Sequence, residues 1–423
     1  MEKISVTHEL TCKKEYDIIV AGGGVAGVAA AITAKRRGKS VLLLEKSNIL
    51  GGLATLGLVN FFVAMCNGRC KQIIFGLADE WIRLAGKYGY ETISEHWRDG
   101  EPKEMITRRF TQRFSHYIFA LQLTEMVKEE GIDLLFDCIA SEPVMEGNHC
   151  KGIITESKSG REYYKAKMVI DVTGDADILR RSGMPTVSGR NFFSYFGFGI
   201  TLESCKKAVE TNNIMNAYTG GGFAGGTIGL YGTGQPEDVP LYSGLTVEDV
   251  SDYLIRNQTT LLDRLKKDDP TSRDLTTSPL MPQFRTTCHI DGDYTLTMDD
   301  VYKHFDDAIC AINDFDHRDV LMEIPLRAIT KKGFDNLLTA GRCVSSEGYA
   351  WDMTRVIPPA IITGQCAAET AVLAIDTNTP VAEVDIKTLQ DRIASDNIMV
   401  HFPDEYLPED TTHLEYAGDP NHK

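Results

Sequence analysis

Tyr16-Asp-Ile-Ile-Val-Ala-Gly-Gly-Gly-Val-Ala-Gly27, then an alanine-rich run, then Ser40-Val-Leu-Leu-Leu-Glu45, is the stretch that decides the fold. Asp17 to Ala21 is a short β-branched apolar run, the mark of a strand buried on both faces. Gly22, Gly24 and Gly27 follow in G-x-G-x-x-G spacing, with Ala26 inside the same turn. Gly22 permits a tight turn, Gly24 lets the backbone approach a pyrophosphate, and Gly27 lets a helix lie close on the strand. The helix is predicted from Val25 to Arg37, and its basic end, Lys35-Arg36-Arg37-Gly38, suits the final carbonyls and the C-terminal stop. A second buried strand, Ser40 to Leu44, ends in Glu45, eighteen residues after Gly27. A carboxylate there accepts hydrogen bonds from an adenosine ribose. Strand, helix, strand and acid in this order point to dinucleotide binding, against the alternative of an unliganded βαβ unit.

The rest of the composition narrows the class. A chain of 423 residues, 43% hydrophobic and 25% charged, can bury a large core in two or three domains. Its net charge of −16 argues against a nucleic-acid partner, which needs a basic patch. No apolar run approaches the ~18–20 residues of a membrane span, and the opening residues lack the basic-then-apolar layout of a signal peptide. The ten cysteines are scattered without regular spacing and read as reduced thiols of a cytoplasmic protein. Cys66 and Cys70 have no second pair or histidine cluster beside them, so no metal is expected.

Residues 1–15 read as a polar lead-in. After Glu45-Lys46 comes Gly51-Gly52-Leu-Ala54-Thr55, whose adjacent glycines suggest a loop running close to a ligand. This stretch resembles the second cofactor loop of FAD-dependent oxidoreductases of the glutathione-reductase structural type, the group that includes relatives of the fumarate reductase and succinate dehydrogenase flavoproteins. Three further stretches carry the resemblance. Met168-Val-Ile-Asp-Val-Thr173-Gly174-Asp175 is similar to the family's apolar strand followed by Thr-Gly-Asp, with Asp175 expected to point outward. Asn336-Leu-Leu-Thr-Ala-Gly341-Arg342 is similar to its third FAD motif, and Val356-Ile357-Pro-Pro-Ala360 to the start of its closing helix. Pro near a first helical turn is favoured, and a helix N-terminus facing the flavin pyrimidine stabilises negative charge there. Between them, Leu134 to Ala140, Cys150 to Lys158 and Glu162 to Val172 read as a sheet strand, an antiparallel excursion and a return strand, with the turn pairs Gly147-Asn148 and Ser159-Gly160. The resemblance makes this a β-meander whose backbone reads the adenine near Ile139 and Ala140.

The implied fold is α/β: a Rossmann-like FAD-binding domain with a central parallel sheet and β-meander, plus an inserted α+β substrate or cap domain. FAD-binding segments are expected at 1–59, 131–185 and 326–385, a helical insertion at 60–130, the cap at 186–325, and a C-terminal helix with a polar tail at 386–423. The resemblance implies FAD contacts at Gly22, Gly24, Ala26, Gly27, Glu45, Lys46, Gly51, Gly52, Ala54, Thr55, Ile139, Ala140, Thr173, Gly174, Asp175, Gly341, Arg342, Val356, Ile357 and Ala360. In the helical insertion, Ile73 to Lys87 and Thr111 to Glu130 have helical spacing, the second with apolar residues on two faces. Arg108, Arg109 and Arg113 read as a solvated or salt-bridged face, or as contacts to phosphate or an acidic substrate. In the cap, Asn191 to Leu202 reads as a strand, Tyr218 to Gly234 as a glycine-rich mobile loop over the active site, and Val247 to Lys267 as an amphipathic helix. The segment 281–294 resembles the family's Arg-Glu-Ser-Arg-Arg-Ile-x-Gly stretch at Arg285, Ile290 and Gly292, but Thr286, Cys288 and His289 stand where Glu and two Arg are expected.

These readings give an FAD-dependent oxidoreductase moving a hydride between flavin N5 and a small organic substrate. Candidate catalytic residues are His289, Arg285, Arg355 and Tyr349, with Asp352 behind them. His289 suits general acid–base work because its reference pKa lies near neutrality. Arg285 or Arg355 suits a carboxylate or an anionic flavin. The plainer readings are a hydrogen-bonded loop histidine, an Arg355–Asp352 pair and a core tyrosine. Two other functions stay open: reduction of an activated C=C bond in the manner of fumarate reductase, and a flavin-carrying electron-transfer subunit. Partners are a small-molecule substrate and an unidentified electron donor or acceptor, with homo-oligomerisation possible and Cys66 and Cys70 as candidate covalent tethers.

Overall fold

A computed structural model describes residues 4, 7, 9–220, 229 and 232–409. In chain order the elements that position the site are β1 (Cys12–Ala21), α1 (Val25–Arg36), β2 (Val41–Leu44), α2 (Leu77–Lys87), α3 (His116–Glu129), β3 (Asp133–Leu135), β4 (Ile139–Glu146), β5 (His149–Ser157) and β6 (Gly160–Asp171). Then come β7 (Phe198–Thr201), α4 (Val247–Leu265) and β8 (Arg273–Thr277), and the chain returns through β9 (Leu337–Thr339), α5 (Gly348–Arg355) and α6 (Ile357–Thr377). The main sheet runs β3-β2-β1-β6-β5-β4, with β9 also beside β6. Neighbours are parallel except for the antiparallel steps β6/β5 and β5/β4 that form the meander. Ile18 faces Val41 and Met168, so apolar residues of three strands stack in register at the sheet centre.

α1 and α6 pack on each other and both lie against the sheet, and both helices are rich in small residues for a steric reason. A Cβ on Gly364 would stand 2.2 Å from the Ala26 carbonyl oxygen, and one on Gly27 would stand 1.8 Å from that of Gly22. Only glycine allows the two helices and the turn to approach this closely. α6 is buried from Ile357 to Ala374. No single described helix is long and apolar enough to cross a membrane. α5 and α6 are apolar enough together, but they bend by 78° at Val356.

Several local expectations need correction. β1 begins at Cys12, not Asp17, because Lys14 to Tyr16 pair with Tyr164 to Ala166 of the long meander strand. The expected strand Leu134 to Ala140 is two strands, broken at Asp137, whose φ of 53° lies in the left-handed region. α2 starts at Leu77 and α3 at His116, after a short pairing of Phe61–Phe62 with Gln112–Arg113 that uses the residues before α3. α3 is buried on one face only, since Leu121 is 68% exposed. Arg108 and Arg113 are exposed, but Arg109 is half-buried and donates to the carbonyls of Cys66 (2.7 Å), Asp314 (2.6 Å) and Phe315 (3.0 Å), so joining three loops. β7 occupies only the end of Asn191 to Leu202, flanked by Tyr218–Gly220 and β8. Most of the glycine-rich loop expected at Tyr218 to Gly234, and the tail from 410 onward, lie outside the described residues.

Candidate functional site

A cavity of about 420 Å³ runs along the C-terminal edge of the parallel strands. This is where open α/β sheets bind ligands. At one end it is lined by Gly22, Gly24 and Ala26 of the first turn, by Glu45, Lys46 and Ser47 after β2, and by Cys138, Ile139 and Ala140 at the start of β4. It is also lined by Gly51, Gly52, Ala54, Thr173, Gly174, Gly341 and Arg342, and by Arg355, Ile357, Ala360 and the segment Leu280-Met281-Pro282.

The first turn is shaped by close contacts. Gly22 has φ 114°, and a Cβ there would stand 2.4 Å from the Val172 carbonyl oxygen. Gly24, the residue that caps α1, is different: a Cβ on it meets nothing within 4 Å. Its side faces open cavity. α1 has no side-chain cap and no acidic residue in its first turn, which leaves its first amides and the positive helix end for an anion. The second glycine loop folds back on the first, with the Gly51 amide donating to the Gly23 carbonyl at 2.8 Å. Gly51 adopts φ 103°, and a Cβ there would collide with Thr55. Thr55 is buried outside the cavity lining, and its hydroxyl donates to the Leu50 carbonyl, which holds the loop. Glu45 is buried, and its carboxylate accepts from the Gly23 amide and the Ser47 amide, both at 2.7 Å.

Asp175 does not point outward as expected. It forms an ion pair with Arg342 at 2.8 Å and accepts from the Thr287 hydroxyl. Arg342 also donates to the carbonyls of Gly174 (2.7 Å) and Phe284, so its head stitches three segments beneath the cavity. Asp171, which sequence reasoning passed over, lies fully buried just before Thr173. It accepts from the Thr173 amide and hydroxyl and from the amides of Ile178 and Leu179 at 2.7–3.0 Å. Burial nevertheless outweighs these donors and raises its pKa to about 6. Gly27, Thr55, Asp175 and Val356 are the proposed FAD contacts that do not line the cavity. They act as packing and turn residues next to those that do.

The four candidate catalytic residues are not brought together. Arg355 lines the cavity and pairs with Asp352, its Nε donating at 2.6 Å. Arg285 stands near this pair; burial and the Arg355 charge lower its pKa, while Asp352 opposes that shift. His289 lies elsewhere. It is the centre of the short strand Cys288–Ile290, which pairs with Thr186–Ser188, and its ring is 1% exposed. Its Nδ1 sits 2.6 Å from the Ile290 carbonyl, so the proton is on Nδ1, and its ring meets Trp351 edge-on at 4.5 Å. Burial lowers its pKa and keeps it neutral. Tyr349 is buried too, donating to Asp314 at 3.0 Å beside His317. Neither side chain lines the cavity. Cys66 and Cys70 are also outside it; the cysteine that lines it is Cys138, at the end beside Glu45.

The lining residues not anticipated are mostly apolar: Val25, Leu44, Leu53, Leu56, Val172 and Ala340, with the distant Leu280, Met281 and Pro282. Those next to a glycine motif could have been found by proximity to it. Leu280 could not, because nothing local ties it to the sheet, whereas Met281 and Pro282 open the segment 281–294 whose resemblance put it near the substrate. The uncapped α1 terminus, the open side of Gly24 and the buried carboxylate of Glu45 fit the pyrophosphate and ribose of a dinucleotide.

Matching stretches occur in a digeranylgeranylglycerophospholipid reductase of Methanoculleus marisnigri, 29% identical over 41% of this chain and 43% of that protein. They also occur in a tRNA uridine 5-carboxymethylaminomethyl modification enzyme of Lactobacillus johnsonii, 30% identical over 38% of this chain and 24% of that enzyme. The chain thus spans less than half the length of these two relatives. Among solved structures, a geranylgeranyl bacteriochlorophyll reductase-like protein of Thermoplasma acidophilum aligns with 13% identity over 93% of this chain and 94% of that one, with a TM-score of 0.44. The sequence profile of FAD dependent oxidoreductases matches residues 17–216 and 245–393, most of the chain and both sides of the glycine-rich segment, and the chain belongs to that family.

Proposed function

We propose that this oxidoreductase exchanges a hydride between N5 of its bound FAD and a small organic substrate bearing an anionic group, which enters beside Arg355. The observation that carries this reading is the continuity of the cavity from the glycine turns to Arg355 and Leu280 to Pro282. The order of the sheet, with its antiparallel meander, supports placing the chain with the glutathione-reductase structural type.

The chain's own groups divide the work. The α1 terminus and Gly24 receive the pyrophosphate, and Glu45 accepts from the ribose. The α6 terminus, without a side-chain cap and with proline in its first turn, presents its positive end at the Ile357 side of the cavity, where it favours negative charge. Arg355, which lines the cavity with Arg285 near it, suits a carboxylate on the substrate. The apolar walls at Leu56 and Leu280 to Pro282 exclude water from the transfer.

The test begins with the absorption spectrum of the purified protein before and after acid precipitation. Flavin released to the supernatant fits a cofactor held without a covalent link; colour retained in the pellet argues against it. The reduced protein is then reoxidised by enoates, and the oxidised protein reduced by alcohols, amines and hydroxy acids. Spectral change with carboxylated compounds and none with their amides supports the reading. Equal response to both removes the role given to Arg355.

A further inference from the structure

Away from the cavity, the loop before the hairpin Ala308–Asn313/Leu321–Pro325 and the C-terminal segment after residue 399 meet over one carboxylate. Glu323 sits in the second hairpin strand opposite Ala311 and is fully buried. His304 Nδ1 lies 2.6 Å from its Oε1, and His401 Nδ1 lies 3.1 Å from both of its oxygens. The Phe305 amide donates to Oε2 at 2.8 Å and fixes the carboxylate's orientation. The second ring nitrogen of His304, Nε2, is 3.0 Å from Asp404. The ligand atoms of His304, Glu323 and His401 lie within 4.8 Å of one another.

We propose that His304, His401 and Glu323 bind a divalent cation of the zinc class, with Asp404 orienting the His304 ring. The donor set of two imidazoles and one carboxylate is one that zinc takes. Bonds of about 2.0–2.1 Å in tetrahedral geometry place ligand atoms roughly 3.3 Å apart, so the two histidine–Glu323 spacings need open by only a few tenths of an ångström to about 0.7 Å, and the third pair already lies within 4.8 Å. The His304–Asp404 contact has the form of the second-sphere carboxylate that holds a ligating histidine in one tautomer. Charge agrees with this. Among the described residues no Lys or Arg pairs with Glu323 or Asp404, so only the two histidines stand against these carboxylates. Both histidines are partly exposed, which leaves an entry path and a position for water. The site would tie the C-terminal segment, whose Phe402 packs with Ile73, Ala311 and Leu321, to the hairpin beneath α6. The three ligands come from three separate segments, which is why spacing along the chain gives no sign of them.

The untagged full chain, stripped with EDTA and dialysed, is titrated with zinc chloride while melting and bound metal are followed. Equimolar zinc is expected to remain after dialysis and to raise the melting midpoint by several degrees. Magnesium and calcium, which prefer oxygen ligands, are expected to leave it unmoved. His401→Ala, at a partly exposed position, is expected to abolish the zinc shift while the flavin spectrum stays as in the wild type. Glu323→Gln serves as a second variant where it folds. If wild-type protein neither retains zinc nor gains stability from it, the cluster is a hydrogen-bonded ion network and the proposal fails. A zinc shift that persists in His401→Ala places the metal elsewhere and also overturns it.

Discussion

Gly24→Ala separates the fold from the cofactor more cleanly than any other single change. Gly24 has φ −65° and ψ 176°, which alanine adopts without strain, and its new methyl would meet no protein atom within 4 Å. Replacing glycine at such a position stabilises a chain by about 0.4–1 kcal/mol through its unfolded state. The methyl would instead stand in the cavity, where an amide hydrogen bond to a phosphate oxygen needs a separation of about 2.9 Å. A carbon in that space forces the phosphate back, losing one or two charge-assisted hydrogen bonds worth roughly 1.5–3 kcal/mol each. FAD affinity should therefore fall at least about tenfold, since each 1.4 kcal/mol is a factor of about ten. The assay is equilibrium dialysis of the apoprotein against FAD, alongside thermal melting without flavin. Gly27→Ala gives the contrast: its Cβ would stand 1.8 Å from the Gly22 carbonyl oxygen, so apoprotein stability itself should drop. An unchanged FAD affinity in Gly24→Ala would mean that the pyrophosphate does not pass this turn.

Other outcomes follow from contacts on single residues. Glu45→Ala strands the Gly23 and Ser47 amides and should lower both the melting point and FAD affinity, with Glu45→Gln recovering part of each; a variant that keeps wild-type FAD affinity removes the ribose role. His289→Asn should leave the pH profile of turnover unaltered, because the ring is buried away from the cavity, and a shifted profile would restore it as an acid–base group. His116 has its pKa lowered to about 4 by burial, so the folded state favours the neutral ring. That contribution is present above the unfolded value of about 6.5 and is lost as pH falls through 4, up to roughly 3 kcal/mol. Urea unfolding of His116→Phe should show a flatter fall in stability between these pH values than wild type, and identical slopes would refute the assignment. Arg355→Lys should raise KM for a carboxylated substrate more than it lowers kcat, whereas an equal fall in kcat and kcat/KM would move Arg355 from binding into the chemistry.

The parts of the fold that were legible are those in which a few adjacent residues dictate backbone shape. The run Asp17 to Ala21, the glycines after it and Glu45 lie within one βαβ unit, so their geometry is set locally and the sequence carries it. Gly341 and Gly174 are readable for the same reason, since each follows a strand of the same sheet. Side-chain convergence is a different kind of information. His289 suits catalysis by residue type, but its place was decided by the pairing of Cys288–Ile290 with Thr186–Ser188 and by the packing of Trp351, both contacts between distant segments. Tyr349 was lost to Asp314 in the same way. Arg355 kept its place in the cavity because it ends α5, immediately before the bend that starts α6, so local backbone again fixed it. The strand limits failed where partners, not propensity, set them: Lys14 and Glu15 are polar, yet they lie in β1 because β6 offers them a ladder. The glycine-lined part of the cavity is therefore written largely in local sequence, whereas Arg355 and Leu280 to Pro282, which we propose meet the substrate, come together across long separations. On the proposed function, changes at Leu280 to Pro282 would redirect the substrate while the glycine-lined walls stay as they are.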